Sequence, residues 1–326
     1  MRRRDFIKGI AGLATASPLA ARAQQATTPV VGFLHGASAG SNQHLVAGFA
    51  KGLAQTGYVL GKNVAVEYRW ANGQYEQLPA LAADLVGRHV AAIAVVTPVA
   101  ALAAKKATTS IPIVFGIGGD PVKGGLVDNL NRPGGNVTGA TFFANLLDAK
   151  RAEFLHQLVP NAHVVAVLLN PGNANFELEQ KETGEALQAL GLQPLMLQAR
   201  DDAGIEAAFA SLVEQHAAAL FLAGDAIFSD RRKKIADLAL SHAIPTSFVN
   251  REAALAGGLM SYGANIPDTL RQVGTYVGRI LNGEKPGDLP VQQPTKFEFV
   301  INMNTAKALG IAVPPSMQLL ADEVIE

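Results

Sequence analysis

The chain has 326 residues, 49% hydrophobic and 17% charged, with 27 basic residues balancing 27 acidic ones and no cysteine. That composition excludes a disordered chain, which could not bury enough apolar surface, and a polybasic nucleic-acid binder. The missing thiols exclude a disulfide scaffold, an iron–sulfur cluster, a thiolate zinc site and a lipid-modified amino-terminal cysteine.

Arg2, Arg3, Arg4 and Lys8 form a basic head, followed by an apolar run of small residues and an Ala21-Arg22-Ala23 cleavage site. Residues 1–23 therefore read as an export signal cut before Gln24. Within it "RRDFIK" (Arg3 to Lys8) resembles the twin-arginine export motif, the alternative being a general secretory signal. The apolar run before Pro18 is shorter than the ~20 residues needed to span a bilayer, so it is not expected to be an anchor. Without residues 1–23, 22 basic residues remain against 26 acidic ones, a net charge near −4. The expected location is the periplasm, as a monomer without a nucleic-acid partner.

Short apolar runs then recur: "VVGFL" (30–34), "VAVEY" (64–68), "AAIAVV" (91–96), "IPIVF" (111–115), "VVAVLL" (164–169), "PLMLQ" (194–198), "AALFLA" (218–223) and "IPTSFV" (244–249). Helix-period segments separate most of them, among them Gln43–Gln55, Leu78–Arg88, Lys150–Leu158, Glu177–Leu190 and Ile205–Glu214. Strands apolar on both faces, alternating with amphipathic helices, predict an α/β protein built on doubly wound parallel sheets. The segments 111–126 and 244–259 match at Ile-Pro, Phe and Gly-Gly-Leu with an offset of 133, and Val30 and Val164 open similar strands 134 apart. These echoes predict two lobes of one kind.

Between the two series runs "GGDPVKGGLVDNLNRPGGNVTG" (Gly118 to Gly139). It lacks the lysine–hydroxyl pair of a phosphate loop. It is expected to pass from a cleft loop at Asp120 through a helical turn near Leu126–Leu130 to a crossover strand at Asn136–Thr141. After Gly258 come "LMSYG", a helix from about Pro267 to Leu281, a Pro/Gly-rich segment and the strand "KFEFVIN" (296–302). These pieces are too few for a third lobe, so the chain is expected to recross. The expected division is 29–138 plus 262–290 for lobe one and 139–261 plus 291–326 for lobe two.

The string "IPIVFGIGGDPVKGGLVDNLNRPGGNVTG", the opening "VVGFLHG" and the late "KFEFVINMNTAKALGIAVPPS" resemble the ABC-transporter substrate-binding family that includes tryptophan- and tyrosine-binding lipoproteins. The resemblance covers nearly all of the chain after the export signal. It implies a type I periplasmic-binding-protein fold: two Rossmann-like lobes, three crossovers and a ligand held between them. It also implies a membrane permease as partner. The chain departs from the lipoprotein members in having no lipobox cysteine.

Ligands of open α/β sheets bind beyond the carboxyl ends of the strands. That rule selects His35, Gly36 and Ser38 after the first strand, and Thr97 with Pro98 at a helix start suited to a carboxylate. Asp120 follows the fourth strand, and Asn170, Asp225 and Asn250 follow strands of the second series. A carboxylate at the mouth is the natural partner of a ligand ammonium. Tyr262 and Trp70 can stack on a flat ligand, and Phe142, Phe143, Phe176 and Phe228 also lie near element ends. The histidines lack metal spacing, and no nucleophile–base signature, metal motif or complete dinucleotide fingerprint is present. The expectation is a non-enzymatic receptor without cofactor, binding an amino acid or small carboxylate, aromatic ones included, with hinge closure. The alternatives are a sensing subunit for a membrane signalling protein, or an exported enzyme on the same scaffold.

Overall fold

The computed structural model describes residues 28–142, 147–294 and 296–326. The export signal and Phe143 lie outside the described residues. From Val30 the chain alternates β1 (Val30–His35), α1 (Gln43–Gln55), β2 (Ala65–Trp70), α2 (Leu78–Gly87), β3 (Ala92–Val96), α3 (Pro98–Ala107), β4 (Ile113–Ile117) and β5 (Val137–Thr141). These strands make a parallel sheet in the order β2-β1-β3-β4-β5.

The second series runs α4 (Asp148–Leu158), β6 (Val164–Leu169), α5 (Phe176–Ala189), β7 (Gln193–Gln198), α6 (Asp202–Glu214) and β8 (Ala219–Leu222). It continues through α7 (Ala226–Asp230), α8 (Arg232–Ser241), β9 (Thr246–Phe248), α9 (Arg251–Leu255) and β10 (Met260–Ala264). After α10 (Ile266–Leu281) come β11 (Phe297–Asn302), α11 (Met303–Ala308), α12 (Pro315–Leu320) and β12 (Glu323–Ile325). The second sheet has the order β7-β6-β8-β9-β10-β11-β12, with β11 antiparallel to β10. Its first five strands repeat the order of the first sheet. The 133-residue echo is the correspondence of β4, starting at Ile113, with β9, starting at Thr246.

Alternation along each strand explains the double covering. In β3, Ala92, Ala94 and Val96 pack with Phe49, Val273 and Val277 on one face, while Ile93 and Val95 pack with Leu85, Ala100 and Ala104 on the other. In β6, Val165, Val167 and Leu169 join Phe154, Leu187 and Phe299, and Ala166 and Leu168 join Ile205, Phe209 and Ile235. A strand apolar on both sides is stable only when both faces are roofed, which is why helices flank each sheet.

The helix after the fifth strand of each series covers the other lobe. From β5 the chain leads into α4, which packs on the second sheet, and from β10 into α10, which packs on the first. A third crossing follows Gln292, whose N–H donates to Gly139 O (2.9 Å) and whose carbonyl accepts from Thr141 N–H (2.9 Å) before the chain enters β11. The expected lobe boundaries at 138/139 and 261/262 fall inside β5 and β10, each of which stays whole in one sheet. Helices α1 and α10 approach so closely that a Cβ on Gly52 would overlap the Arg271 carbonyl and one on Gly274 the Phe49 carbonyl.

The glycine-rich stretch differs in detail from expectation. Its turn lies at Pro121–Gly125, upstream of Leu126–Leu130, because the Asp120 carboxylate accepts the N–H groups of Val122 (2.8 Å) and Lys123 (3.1 Å) and starts the turn there. Leu126 and Val127 are buried in the first lobe's core. The crossover strand is a full member of the first sheet, β5.

Candidate ligand-binding site

In sheets of order 2-1-3-4-5, the crevice opens where the strand order reverses, beyond the ends of the first and third strands. Both sheets present that point to one cavity. The first lobe contributes His35 at the end of β1 and Val96, Thr97, Pro98 and Val99 from β3 into α3. The second contributes Asn173 and Asn175 after β6, Glu179 on α5, and Gly224, Asp225 and Ala226 after β8. Tyr75, Phe142, Ser229, Val249, Asn250 and Ile266 complete much of the wall. The cavity measures about 90 Å³, several times the roughly 10–15 Å³ that admits one water.

The first lobe's wall carries no ionised side chain at neutral pH. Burial lowers the His35 imidazole from 6.5 to about 4, against the pull of Asp230. Its Nδ1 accepts the Ala37 N–H (2.8 Å), so the neutral ring carries its proton on Nε2, a buried donor without a partner among the described residues. Trp70 stacks on this ring at 5.0 Å, fixing its plane. Thr97 is the N-cap of α3, its Oγ1 accepting the Ala100 N–H (3.3 Å), and its φ of 94° is a conformation rarely tolerated by a β-branched residue. This junction brings the positive dipole end of α3 to the cavity; Pro98 has no N–H and Thr97 takes those of Ala100 and Ala101, which leaves the Val99 N–H in the first turn.

The second lobe's wall is acidic. Asp225 Oδ1 accepts from Tyr75 OH (3.0 Å), Asn170 Nδ2 (3.1 Å) and Ile227 N–H (2.8 Å), and Oδ2 accepts from Asn173 Nδ2 (2.9 Å). Burial pushes its pKa up, and the Asn170, Ile227, Tyr75 and Asn173 hydrogen bonds oppose this. The same carboxylate and burial push the Tyr75 phenol well above its ordinary value, keeping it a donor. Asn250 caps α9 through Ala253 N–H (3.3 Å) and reaches Ser229 Oγ with Nδ2 (3.3 Å).

Of the expected residues, His35, Thr97, Asp225 and Asn250 line the cavity. Gly36 lies against it: a Cβ there would meet Tyr75 and Thr97. Asn170 stands one layer back, holding Asp225 and the Gly172 N–H (2.8 Å). Ser38 spends its N–H on Asp230 (2.7 Å), a contact between lobes. Asp120 is engaged in its turn, and Tyr262 packs edge-on against Phe154 at 5.2 Å in the second lobe's core, because β10 belongs to the second sheet. Phe142 lines the cavity, while Phe176 and Phe228 pack into the second lobe.

Tyr75, Asn173, Asn175 and Glu179 were not among the residues selected from sequence. Glu179 did carry a signal. The face of α5 that turns inward runs Phe176, Glu179, Thr183, Leu187, and an acid at a core-facing position demands a reason. Among the described residues no cluster of His, Asp and Glu suits a metal ion.

Two doubly wound lobes with facing switch points around one cavity define a two-lobed small-solute-binding protein of the type I periplasmic-binding-protein fold. The family model described as ABC transporter substrate binding protein matches residues 30–325, and the chain belongs to that family. It is 26% identical over 264 residues to the tyrosine-binding protein of Clostridioides difficile (strain R20291), covering 81% of this chain and 76% of that one. A Streptococcus pneumoniae ABC domain in complex with L-Trp superposes with a TM-score of 0.83 at 23% identity, covering 92% of this chain and 100% of that one. The ligand-free, open structure of a Clostridium difficile substrate binding protein with adhesive properties gives 0.64 at 23% identity, covering 91% and 99%.

Proposed function

We propose that this protein is the exported receptor of an ABC importer, binding an amino acid with an apolar or aromatic side chain between its lobes and delivering it to a membrane permease from the periplasm. The observation that carries the reading is the polarity of the cavity. A strained helix N-terminus and the neutral His35 line it from the first lobe, and buried carboxylates line it from the second. An α-carboxylate suits the former and an α-ammonium the latter. Tyr75, Phe142, Leu45, Val99, Val249 and Ile266 offer the apolar surface for a side chain. The two relatives whose descriptions name tyrosine and L-Trp support an aromatic amino acid.

Transport is the favoured role because the family match spans nearly all of both lobes. The reading includes no catalysis. A thermal-shift screen of the protein lacking residues 1–23 against the proteinogenic amino acids and small aromatic carboxylates tests it. A ligand at ~100 times its Kd adds about 2.7 kcal/mol of stability. Absence of any shift across that panel, with turnover of some substrate instead, would sink the reading.

A further inference from the structure

Two carboxylates line the acidic wall, and they differ in how far the protein has already used them. Asp225 receives four protein donors. Glu179 lies on the first turn of α5 with 5% of its surface exposed, and its carboxylate has no hydrogen bond or ion pair among the described residues. It nonetheless lines the cavity. None of the charged groups around it forms an ion pair with it, although the buried Arg151 guanidinium favours its charged form and partly offsets the burial that raises its pKa. On α4, Arg151 donates to Asp148 (2.9 Å), which also accepts from Thr183 Oγ1 (2.7 Å). On α5, Glu182 pairs with Lys123 of the first lobe (3.4 Å). Asp225 adds further negative charge, and the His35 ring across the cavity is neutral at pH 7.

We propose, on the receptor reading above, that Glu179 is the acid that pairs with the ligand's cationic amine, and that forming this pair releases one proton from the Glu179 carboxyl to solvent. Burial first, then the charges of Asp148 and Asp225, pushes the Glu179 carboxyl well above the usual carboxylate range in the ligand-free protein. An arriving ammonium reverses the local field: the carboxyl O–H bond breaks, the proton leaves to bulk water, and the carboxylate accepts the ligand N–H. A buried acid held neutral tolerates an empty cavity, yet becomes a strong partner once a cation enters. The site is therefore selective for amine-bearing ligands over des-amino analogues of the same shape.

The test uses Glu179→Gln beside the wild type. L-tryptophan, L-tyrosine and the remaining proteinogenic amino acids are first titrated calorimetrically into wild type in phosphate and in Tris, whose different ionisation heats count protons. The expected result is release of up to one proton per amino acid bound. In Glu179→Gln that release disappears and affinity falls at least about tenfold, while indolepropionate and hydroxyphenylpropionate, which lack the amine, bind no more weakly than to wild type. Amino-acid affinity within about twofold of wild type, or unchanged proton release, overturns the assignment while leaving the receptor reading intact. Failure of every compound to bind wild type overturns the receptor reading itself.

A ligand-free arm is independent of that outcome. The folded protein holds a proton on Glu179 that the unfolded chain loses near pH 4.5, so this group's stability contribution is lost as pH rises through its folded value. Glu179→Gln should raise Tm, more at about pH 8 than at about pH 5. A loss of Tm equal at both would mean an ionised structural carboxylate and would overturn the proposal.

Discussion

Asp225 accepts hydrogen bonds from Tyr75 of the first lobe and from Asn170, Asn173 and the Ile227 N–H of the second, and is 8% exposed. Its first duty is structural: it follows β8, caps α7 and holds the Tyr75 ring at the cavity. Replacing it with alanine strands four donors, each buried or partly buried. Asp225→Ala should therefore lower unfolding free energy by about 3 kcal/mol, read from urea denaturation, as well as weaken ligand. An unchanged urea midpoint would mean that these donors find water instead. Strand-end reasoning found this residue because a charged side chain after an apolar strand is visible along the chain. It passed over Tyr75, five residues beyond Trp70 at the start of a short 3-10 helix (Tyr75–Gln77), and Glu179, which reaches the cavity from a helix face. Neither position is marked by strand periodicity.

The helix pair α1–α10 joins elements separated by more than two hundred residues in the sequence, and its seam is made of glycines. Gly48 and Gly52 on α1 lie against Pro267 and Arg271, Gly274 and Gly278 on α10 lie against Phe49 and Thr56, and side chains there would collide with backbone or with Thr56. Glycine inside a helix is ordinarily worth about 1 kcal/mol less than alanine, so Gly→Ala should stabilise wherever space allows. Gly87 on α2 has open space around it, and Gly87→Ala should gain roughly 0.5–1 kcal/mol. Gly52→Ala should instead cost about 2 kcal/mol, because the overlap with the Arg271 carbonyl outweighs the propensity gain. Thermal denaturation of the pair checks the contrast in sign. The α1 segment was legible as a helix from its period. The expected division placed the Pro267–Leu281 helix with lobe one, but its seat against α1 was not legible, because nothing local in α10 says which helix it will meet.

Across the whole molecule, Asp230 of the second lobe fastens the first. Its carboxylate accepts the Ser38 N–H (2.7 Å), Asn42 Nδ2 (2.8 Å) and the Ser41 hydroxyl, with the side chain 2% exposed. Lys123–Glu182 (3.4 Å) adds a weaker bridge at the rim. These contacts can exist only with the lobes together. Asp230→Ala should shift the ligand-free population toward open forms, seen as a larger radius of gyration by X-ray scattering. It should also weaken apparent affinity about tenfold or more by depleting the binding-competent state. An unchanged scattering profile and affinity would remove Asp230 as a latch. At this scale the division between sequence and tertiary structure is clear. Apolar runs alternating with 3.6-period helices determined a doubly wound α/β chain, and the 133-residue echo of Ile-Pro and Gly-Gly-Leu determined that it is doubled, because burial periodicity and internal repetition are local or linear properties. Only the tertiary structure decided that α10 seats against α1, that Tyr262 belongs to a core and Ser38 to a latch, and that Glu179 lines the cavity without a hydrogen bond among the described residues. Each of these depends on which surface a side chain meets after the chain has crossed between lobes, and that is a distance in space which spacing along the sequence does not encode.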